Sequence, residues 1–357
     1  MRRRDLLMGT GLASLGVVAA AQGVPPAAAS AASAPALPGV LSRPAQATHL
    51  ATRSALLGAT RAGQRLLLCG ERGIVLWSDD QGQRWKQARV PVQVSLTALA
   101  FADDAREGWA CGHFGVLLHT RDGGENWTLA LDGAAAARLQ SQSATGEAQR
   151  RLAQRHVDEG PDKPFFDVSL VQGRVVAVGA YGLAVQGKDS DRAAFTPLGP
   201  QLPNPKQLHL YAACAHGTQL YVAGEQGLLL RSSDGGGQFD AMATPYKGSF
   251  FGLLLPADGA VLAYGLRGNI WRSADRGDTW TRIANPLPAN LGAGVVLDDG
   301  RTVLLAQNGD LLVSTDQGQR FEHRPAAHPF PAATLVATAD GRHAVLAGLR
   351  GLQRVAL

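Results

Sequence analysis

Short apolar runs alternate with turn residues along most of the chain. The runs at residues 65–69 and 220–223 each lead through a Gly-x-x-Gly turn into a second apolar run, at 74–77 and 228–230. A further apolar run precedes each pair and ends in an Asp/Gly turn, as at 257–259. Runs of this length are typical of strands, and the glycines supply the positive φ that tight hairpins need.

This strand–turn–strand unit recurs seven times, and the turns begin at residues 70, 112, 179, 224, 265, 306 and 348. The spacings are 42, 67, 45, 41, 41 and 42 residues, and the long interval contains an insertion. Four strands in a repeat of about 42 residues indicate the blade of a β-propeller. The pattern therefore predicts an all-β fold over residues 43–357, a seven-bladed β-propeller with four-stranded blades.

A second motif, Ser/Thr-x-Asp-x-Gly-x-x-aromatic, follows the third strand of most units. This Asp-box occurs at residues 78–85, 120–127, 232–239, 273–280 and 314–321, and a degenerate copy lies at 187–195. Its Asp and hydroxyl groups bond the turn, its Gly is left-handed, and its aromatic ring covers the blade. We expect these turns to be structural and to hold no metal, because one carboxylate per blade cannot fill a cation's coordination shell.

Two segments depart from the repeat. The last unit ends after its third strand, at residues 353–357, so we expect residues 43–53 to supply the outer strand of the seventh blade. The insertion at 133–160 is rich in Ala, Gln and Arg and predicts one or two short helices broken near Gly146. A partner-docking arm, a lid and a tolerated mobile loop are all open interpretations of this insertion.

The N-terminus carries a targeting pattern. Arg2, Arg3 and Arg4 precede an apolar stretch at 6–21, and Ala-rich cleavage positions follow. Residues 1–34 therefore predict a signal peptide, and Arg3-Arg4-Asp5-Leu6-Leu7 resembles a twin-arginine signal. This predicts a periplasmic protein, with a retained membrane anchor as the alternative.

Composition excludes several classes of function. The net charge is +5, and removal of the signal takes away three Arg and one Asp, which leaves +3. That charge is too mild and too dispersed to indicate a nucleic-acid partner. Three Cys without close spacing favour neither a disulfide framework nor a zinc site, and we interpret them as small buried residues. The sequence shows no nucleophile elbow and no phosphate loop, so we expect no cofactor.

Strand order separates two faces of the predicted propeller. The Gly-x-x-Gly turns share one face with the links between blades, and the Asp-boxes lie on the other. We expect the middle residues of these turns to form an inner ring around the axis, with the insertion on the same face. This mildly basic, partly aromatic surface suits an acidic or extended peptide or a flat ligand, while an ordinary solvated surface is the alternative. The predicted partner-binding residues are Arg72, His113, Phe114, Tyr181, Glu225, Arg267, Asn308 and Arg350, with Gln226 beside them.

Seven Gly-x-x-Gly and Asp-box units behind an export signal resemble the photosystem II stability and assembly factor family, over residues 43–357. The resemblance implies a non-catalytic scaffold that holds a newly made membrane-protein subunit. It also extends to relatives in bacteria without photosynthesis, where an RND-type export component is a possible client. The arginine patch associated with the family implies roles for Arg72, Arg267 and Arg350. We expect a monomer with a protein client.

Two other classes compete with this scaffold. A sialidase-type glycosidase also carries Asp-boxes, and it needs three convergent arginines, a Tyr/Glu nucleophile pair and an acidic Asp. Tyr181 and Glu225 lie in neighbouring units with no Asp on the same ring, and Arg89-Val90-Pro91 follows the first box where that family has its motif before it. A non-catalytic polysaccharide-binding propeller is the third class, although most Trp residues end Asp-boxes on the other face. We therefore expect no enzyme.

Overall fold

Residues 39–188 and 195–357 are described by a computed structural model, so the predicted signal peptide lies outside the described residues. The strands form seven antiparallel sheets, each built from consecutive strands. The inner strands of neighbouring sheets pack side by side around a ring, and the first sheet packs against the seventh. The predicted seven-bladed β-propeller is confirmed.

The first three blades have four strands each. Their bounds are, for blade 1, β1 (Leu56–Ala62), β2 (Arg65–Gly70), β3 (Val75–Ser78) and β4 (Lys86–Gln87); for blade 2, β5 (Leu96–Phe101), β6 (Gly108–Gly112), β7 (Leu117–Thr120) and β8 (Thr128–Leu131); and for blade 3, β9 (Phe165–Val171), β10 (Arg174–Gly179), β11 (Ala184–Lys188) and β12 (Thr196–Pro197).

Blades 4 to 6 also have four strands, and blade 7 has three. Their bounds are, for blade 4, β13 (Leu210–His216), β14 (Gln219–Gly224), β15 (Leu229–Ser232) and β16 (Asp240–Ala241); for blade 5, β17 (Phe250–Leu254), β18 (Val261–Gly265), β19 (Ile270–Ser273) and β20 (Thr281–Ile283); for blade 6, β21 (Leu291–Val296), β22 (Thr302–Ala306), β23 (Leu311–Ser314) and β24 (Glu322–Arg324); and for blade 7, β25 (Ala332–Ala337), β26 (His343–Gly348) and β27 (Gly351–Ala356).

The expected outer strand of blade 7 is wrong. Residues 43–53 form no strand and instead follow the link between blades 1 and 2 before a 3-10 turn at Ala51–Arg53. The backbone N–H of Ala45 donates to the carbonyl of Val90 at 2.9 Å, and Gln87 binds the same segment through its amide. Because these backbone groups are bonded to blade 1, they do not pair with β27.

Apolar packing and one arginine close the ring instead. Leu66 and Leu68 of blade 1 share a buried cluster with Val336 and Val345 of blade 7. On the Asp-box face, the Arg354 guanidinium of blade 7 donates from Nε to the carbonyl of Gln81 in blade 1 at 3.1 Å. Closure therefore rests on side chains between the inner and middle strands of the two blades.

The same kind of bond links other blades. In each case a side chain donates to the backbone carbonyl just before the glycine of the next Asp-box, and it is an Arg in most of them. These inter-blade bonds are Arg65 to Gly123, Gln186 to Gly235, Arg231 to Arg276, Arg272 to Gln317 and Arg354 to Gln81. Several arginines of this chain are therefore structural.

The Asp-box turns have the local geometry that the motif predicts. In blade 5 the Ser273 hydroxyl donates to Asp275 at 2.7 Å, and Asp275 accepts the backbone N–H of Thr279 at 2.8 Å. The Trp280 ring N–H donates to the carbonyl of Gly277, which has a φ of 102°. Hydrogen bonds from the Thr279 side chain and backbone, with that from Ser273, lower the pKa of Asp275 to about 2. The Asp side chains are thus engaged in holding the turns.

Two α-helices occupy the insertion, α1 (Gly133–Ser143) and α2 (Glu147–Glu159). Asp132 caps α1, because its carboxylate accepts the backbone N–H of Ala135 at 2.8 Å. Ala136 of α1 is buried in the cluster between blades 2 and 3, and His156 of α2 bonds to the Gln140 amide of α1. Over the described residues, no helix is long and apolar enough to cross a bilayer.

Candidate functional site

The links between blades and the Gly-x-x-Gly turns share one face, which we call the Gly-x-x-Gly face. In blades 1 to 5 each Gly-x-x-Gly motif contains a short 3-10 turn. The third residue of the four-residue motif is left-handed, with φ between 53° and 57°. The closing glycine lies against the link that leads to the next blade, and at Gly73 a Cβ would clash with the carbonyl of Val92. The left-handed residues are Arg72, Phe114, Tyr181, Gln226 and Arg267.

The turns of blades 6 and 7 differ from the other five. In these two turns only the closing glycine, Gly309 or Gly351, is left-handed, with φ of 95° and 91°, whereas in the other five turns the residue before the closing glycine is left-handed as well. The Asn308 amide donates to Asp310 at 3.0 Å, so this predicted binding residue is held within its own turn. Arg350 precedes Gly351 and is exposed. These two turns bring Asn308 and Arg350 to the face with a different backbone geometry.

Three arginines stand exposed on this face, Arg72, Arg267 and Arg350. Within residues 39–188 and 195–357 none of their guanidinium groups has a hydrogen bond or an ion pair. The acidic residues of the same turns are engaged, because Glu71 accepts the backbone N–H of Ala55 at 3.0 Å and Glu225 accepts that of His209 at 2.9 Å. The predicted binding residue Glu225 therefore ties its turn to its own blade.

The two residues predicted from blade 2 lie in different environments. His113 is exposed, whereas Phe114 is half-buried and packs against the cluster shared by blades 1 and 2. Among the aromatic residues of these turns, Tyr181 has the greater exposure, at 51%. Of the two blade 2 residues, only His113 has an exposed side chain.

A β-bulge at the start of every inner strand was not expected from the sequence. The first strand residue pairs with the first residue of the Gly-x-x-Gly motif, and the second strand residue is then skipped in the ladder. All seven first residues are buried, and all seven skipped residues are half-buried. The skipped residues, which we call the bulge residues, are Leu57, Thr97, Phe166, Tyr211, Phe251, Gly292 and Ala333.

The bulge residues line the central channel at its Gly-x-x-Gly end. The cavity there measures about 300 Å³ and is formed by all seven inner strands together with Tyr264. The Gly-x-x-Gly turns lie one strand farther out, so among the described residues none of the predicted binding side chains lines this cavity. The expectation that the turn residues form the innermost ring around the axis is therefore wrong. The first strand of each blade is nearest the axis, and the Gly-x-x-Gly turns join the second and third strands.

Five aromatic rings form a continuous row on one side of this channel mouth, which we call the aromatic row. Ring centroids lie 4.6 Å apart for Tyr181 and His209, 5.9 Å for His209 and Phe166, 5.5 Å for Phe166 and Tyr211, and 5.5 Å for Tyr211 and Phe251. The backbone N–H of Tyr181 donates to His209 Nδ1 at 2.8 Å, which joins the turn of blade 3 to the start of blade 4. A doubled large residue at the strand start, as in Phe165-Phe166 or Phe250-Phe251, was the available sequence signal.

A carboxyl group lies inside the channel. Asp167 follows the bulge residue of blade 3 and accepts the backbone N–H of Ala213 at 2.9 Å. Burial raises the pKa of this carboxyl to about 7. Burial also raises the pKa of the Cys214 thiol to about 12 and that of Cys111 still further. Both thiols are therefore protonated at neutral pH. Cys69 and Cys111 are buried as expected, whereas Cys214 is half-buried, so that expectation is wrong for Cys214.

The helical insertion forms a cleft beside Tyr181. Its volume is about 400 Å³, and its walls are α1, α2 and the proline-rich segment 199–207. Leu152 and His156 of α2 face Pro203 and Asn204 across it. The insertion thus borders the exposed end of the aromatic row.

The Tyr/Glu pair considered for a sialidase is not the one that the structure joins. Among the described residues no hydrogen bond joins Tyr181 to Glu225, and Glu225 instead lies within 3.4 Å of the Tyr211 hydroxyl. Burial, followed by the charge of Glu225, raises the pKa of Tyr211. In the part of the chain that the structure describes, no group of three or more His, Cys, Asp or Glu residues could hold a metal ion.

Comparison with known proteins supports the fold and the resemblance. Residues 41–149 match the family model described as Photosynthesis system II assembly factor YCF48. The Photosystem II assembly lipoprotein Ycf48 of Synechococcus sp. (strain CC9902) is 34% identical over 68 residues, which cover 18% of this chain and 20% of that protein. The match therefore spans about a fifth of the curated relative.

Two solved structures share the architecture. The structure described as YCF48 bound to D1 peptide has a TM-score of 0.60 and 16% identity, and covers 85% of this chain and 94% of that chain. YCF48 from Cyanidioschyzon merolae has a TM-score of 0.60 and 14% identity, covering 87% and 97%. Identities this low show the fold alone, while the family model and the curated relative show similarity over part of the chain. The resemblance predicted from the motifs is thus confirmed: the chain is a seven-bladed propeller whose residues 41–149 are similar to the photosystem II assembly factor family.

Proposed function

We propose that this chain is a non-catalytic scaffold that binds a protein client on its Gly-x-x-Gly face. The observation that carries the proposal is the set of three exposed guanidinium groups, Arg72, Arg267 and Arg350, which have no partner among the described residues. The carboxylates of Glu71 and Glu225 accept backbone N–H groups, and among the described residues neither forms an ion pair with these arginines. Guanidinium groups bind carboxylates in a bidentate manner, so the face suits an acidic segment or a chain terminus.

The client in this proposal is a membrane-protein subunit or a component of an export system. A solved relative of the same fold is described as bound to a D1 peptide, which supports a peptide segment as the bound group. An RND-type export component stays a prediction that the comparisons do not support. His113 and Asn308 lie on the same face and are proposed as secondary contacts.

We further propose that the chain is exported to the periplasm. Support comes from the twin-arginine-like residues 3–7 and from the curated relative, which is described as a lipoprotein. Cell fractionation should find the protein in the periplasm, and an Arg3→Lys, Arg4→Lys variant should remain in the cytoplasm. Unchanged export of that variant would contradict the twin-arginine route.

The binding proposal is tested with a triple variant, Arg72→Ala, Arg267→Ala, Arg350→Ala. The probes are a synthetic D1 peptide, followed by fluorescence anisotropy, and detergent-solubilised membranes of the source organism in a pull-down. Loss of three charged contacts should weaken binding by about tenfold or more, since each charge-assisted hydrogen bond contributes about 1.5–3 kcal/mol.

The matched control changes three exposed arginines of the Asp-box face, Arg84, Arg121 and Arg320, to Ala. This control removes the same charge from the molecule, so long-range electrostatics change equally while the candidate face is untouched. Equal loss in both variants, or none in either, would refute the assignment of the face. Turnover of a fluorogenic sialoside panel by the unaltered protein would refute the non-catalytic scaffold.

A further inference from the structure

The aromatic row has no role in a surface that recognises charge alone. Its outer end, Tyr181, is 51% exposed, and its inner members Phe166, Tyr211 and Phe251 are half-buried bulge residues at the channel mouth. Large aromatic side chains that remain partly open to water at a channel mouth are unfavourable unless something covers them. Recognition of charged groups by the arginines therefore does not account for the aromatic row.

The angles between the rings decide what kind of group fits. Interplanar angles are 71° for Tyr181 and His209, 85° for Phe166 and His209, and 78° for Tyr211 and Phe251, whereas Phe166 and Tyr211 are tilted by 34°. Because three of the four neighbouring pairs are close to perpendicular, the row as a whole does not form the flat platform on which a sugar ring stacks. Its rings present a mixture of ring faces and edges, which suits a side chain inserted among them.

The backbone holds these rings in place. Phe166, Tyr211 and Phe251 are each flanked by a buried residue that starts the strand and by a ladder pair on the other side. The Tyr211 hydroxyl contacts Glu225 at 3.4 Å, and the backbone N–H of Tyr181 donates to His209. A site held in this way needs little ordering when a ligand binds.

The two halves of the channel mouth differ in chemistry. Blades 3 to 5 supply the aromatic bulge residues, whereas blades 6 and 7 have Gly292 and Ala333 at the same positions. The turns of blades 7 and 1 carry Arg350 and Arg72, and the turn of blade 5, on the aromatic half, carries Arg267. A peptide that crosses the mouth would therefore place an apolar side chain on the aromatic half and a carboxylate on Arg350 or Arg72 of the other half.

We propose that the aromatic row is a specificity subsite for one aromatic or large aliphatic side chain of an extended acidic peptide. This inference rests on the proposed function and narrows its client to segments that combine both kinds of residue. The arginines provide the charge attraction, and the row selects the side chain.

A phage-displayed library of random heptapeptides tests the proposal. Selection on the immobilised mature protein should enrich Phe, Tyr, Trp, Leu or Met within a few residues of Asp or Glu. A synthetic copy of the most enriched peptide should then bind about tenfold more tightly than the same peptide with Ala at the apolar position, as burial of one such side chain predicts.

Variants separate the two kinds of recognition. Tyr181→Ala and Phe251→Leu should each reduce the advantage of the apolar peptide to less than about threefold while the enrichment of acidic residues remains. The control Leu349→Ala removes an apolar side chain that is 68% exposed on blade 7, and it should leave the advantage unchanged. Thermal melts establish that each variant is folded.

Each outcome has a defined meaning. Acidic enrichment without apolar enrichment in the unaltered protein would overturn the subsite and leave the charged face intact. Absence of both enrichments would overturn the subsite together with the proposed function. Binding of a neutral oligosaccharide panel that is lost in Tyr181→Ala would instead assign the row to sugars, and this result would also overturn the proposal.

Discussion

Asp167 shows how the tertiary structure changes the chemistry of a single residue. Asp167 lies in the apolar strand Phe165–Val171, outside the Asp-box motif, and that local sequence does not reveal the surroundings of its carboxyl in the fold. The Asp-box carboxylate of Asp275 accepts local hydrogen bonds that lower its pKa to about 2, whereas burial raises the pKa of Asp167 to about 7. The difference arises because the surroundings of Asp167 in the channel wall disfavour its charged form more than the backbone N–H groups of Ala213 and Val168 favour it.

The raised pKa of Asp167 predicts that stability falls as pH rises. An unfolded Asp ionises near pH 4, so between about pH 4 and pH 7 the unfolded state loses its proton while the folded state keeps it. The free energy of unfolding should decrease over this interval by at most about 4 kcal/mol and then stay level. Asp167→Asn removes the pH-dependent contribution of this carboxyl to the free energy of unfolding. The variant should therefore gain stability relative to the unaltered protein between pH 5 and pH 8.

Urea unfolding of both proteins at pH 5 and at pH 8 measures the difference between their free energies of unfolding. Asn keeps an oxygen for the N–H of Ala213, so the variant preserves the hydrogen bond that Asp167 makes. Parallel changes of both proteins between pH 5 and pH 8 would show that the carboxyl is ionised over the whole range.

At the scale of one element, the Asp-box joins neighbouring blades as well as closing a hairpin. The box glycine of blade 6, Gly318, has a φ of 83°, and a Cβ at this position would lie against Leu262 of blade 5. The box glycines of blades 1 and 2 meet Val345 and Leu67 of the preceding blade in the same way. The local motif was readable from the sequence, but its contact with the neighbouring blade was not, because the motif records only interactions within the turn.

A pair of glycine variants separates the two roles. Gly318→Ala and Gly259→Ala both place Ala at a positive φ, 83° and 78°, but the Cβ at Gly259 would meet nothing within 4 Å. Both should lose about 1 kcal/mol from backbone strain, and Gly318→Ala should lose about 1–3 kcal/mol more from overpacking against Leu262. Chemical denaturation gives both values, and equal losses would show that the inter-blade contact is unimportant.

At the scale of the whole molecule, the ring closes without a fourth strand in blade 7 among the described residues. The sequence correctly indicated that the last unit ends after its third strand. It did not reveal that residues 44–48 bind blade 1 and the link after it while Ala51–Arg53 packs against β27, because that choice depends on contacts between distant segments such as Ala45 with Val90. Closure is therefore carried by the apolar cluster of blades 7 and 1 and by the bond from Arg354 to Gln81.

This mode of closure predicts that blade 7 opens locally before the rest. Arg354→Ala removes the bond to the Gln81 carbonyl, whereas Arg342→Ala removes an exposed arginine of the same blade that makes no side-chain bond among the described residues. Hydrogen–deuterium exchange in β25 to β27 should become about fivefold faster in Arg354→Ala, as loss of about 1 kcal/mol predicts, and remain unchanged in Arg342→Ala. Uniform acceleration across all blades would indicate that the ring opens only as a unit.

Some features of the candidate site were predicted from the sequence, and others were found only in the structure. The sequence indicated the face and its arginines, since the alternation of strands sets which turns share a face. It did not indicate that Glu225 and Asn308 are held by their own turns, nor that Phe114 packs between blades. Those outcomes depend on which side chains lie next to each turn once neighbouring blades have packed.

By itself, the sequence determined the number of blades, the Asp-box geometry and the helices of the insertion, because these follow from interactions between residues close together in the chain. The tertiary structure decided the rest. Only closure of the ring brings the seven bulge residues to one channel mouth, aligns Tyr181 with His209, Phe166, Tyr211 and Phe251, and places Asp167 in the channel wall. Each of these features joins residues from different blades, and the packing of those blades against one another sets their distances.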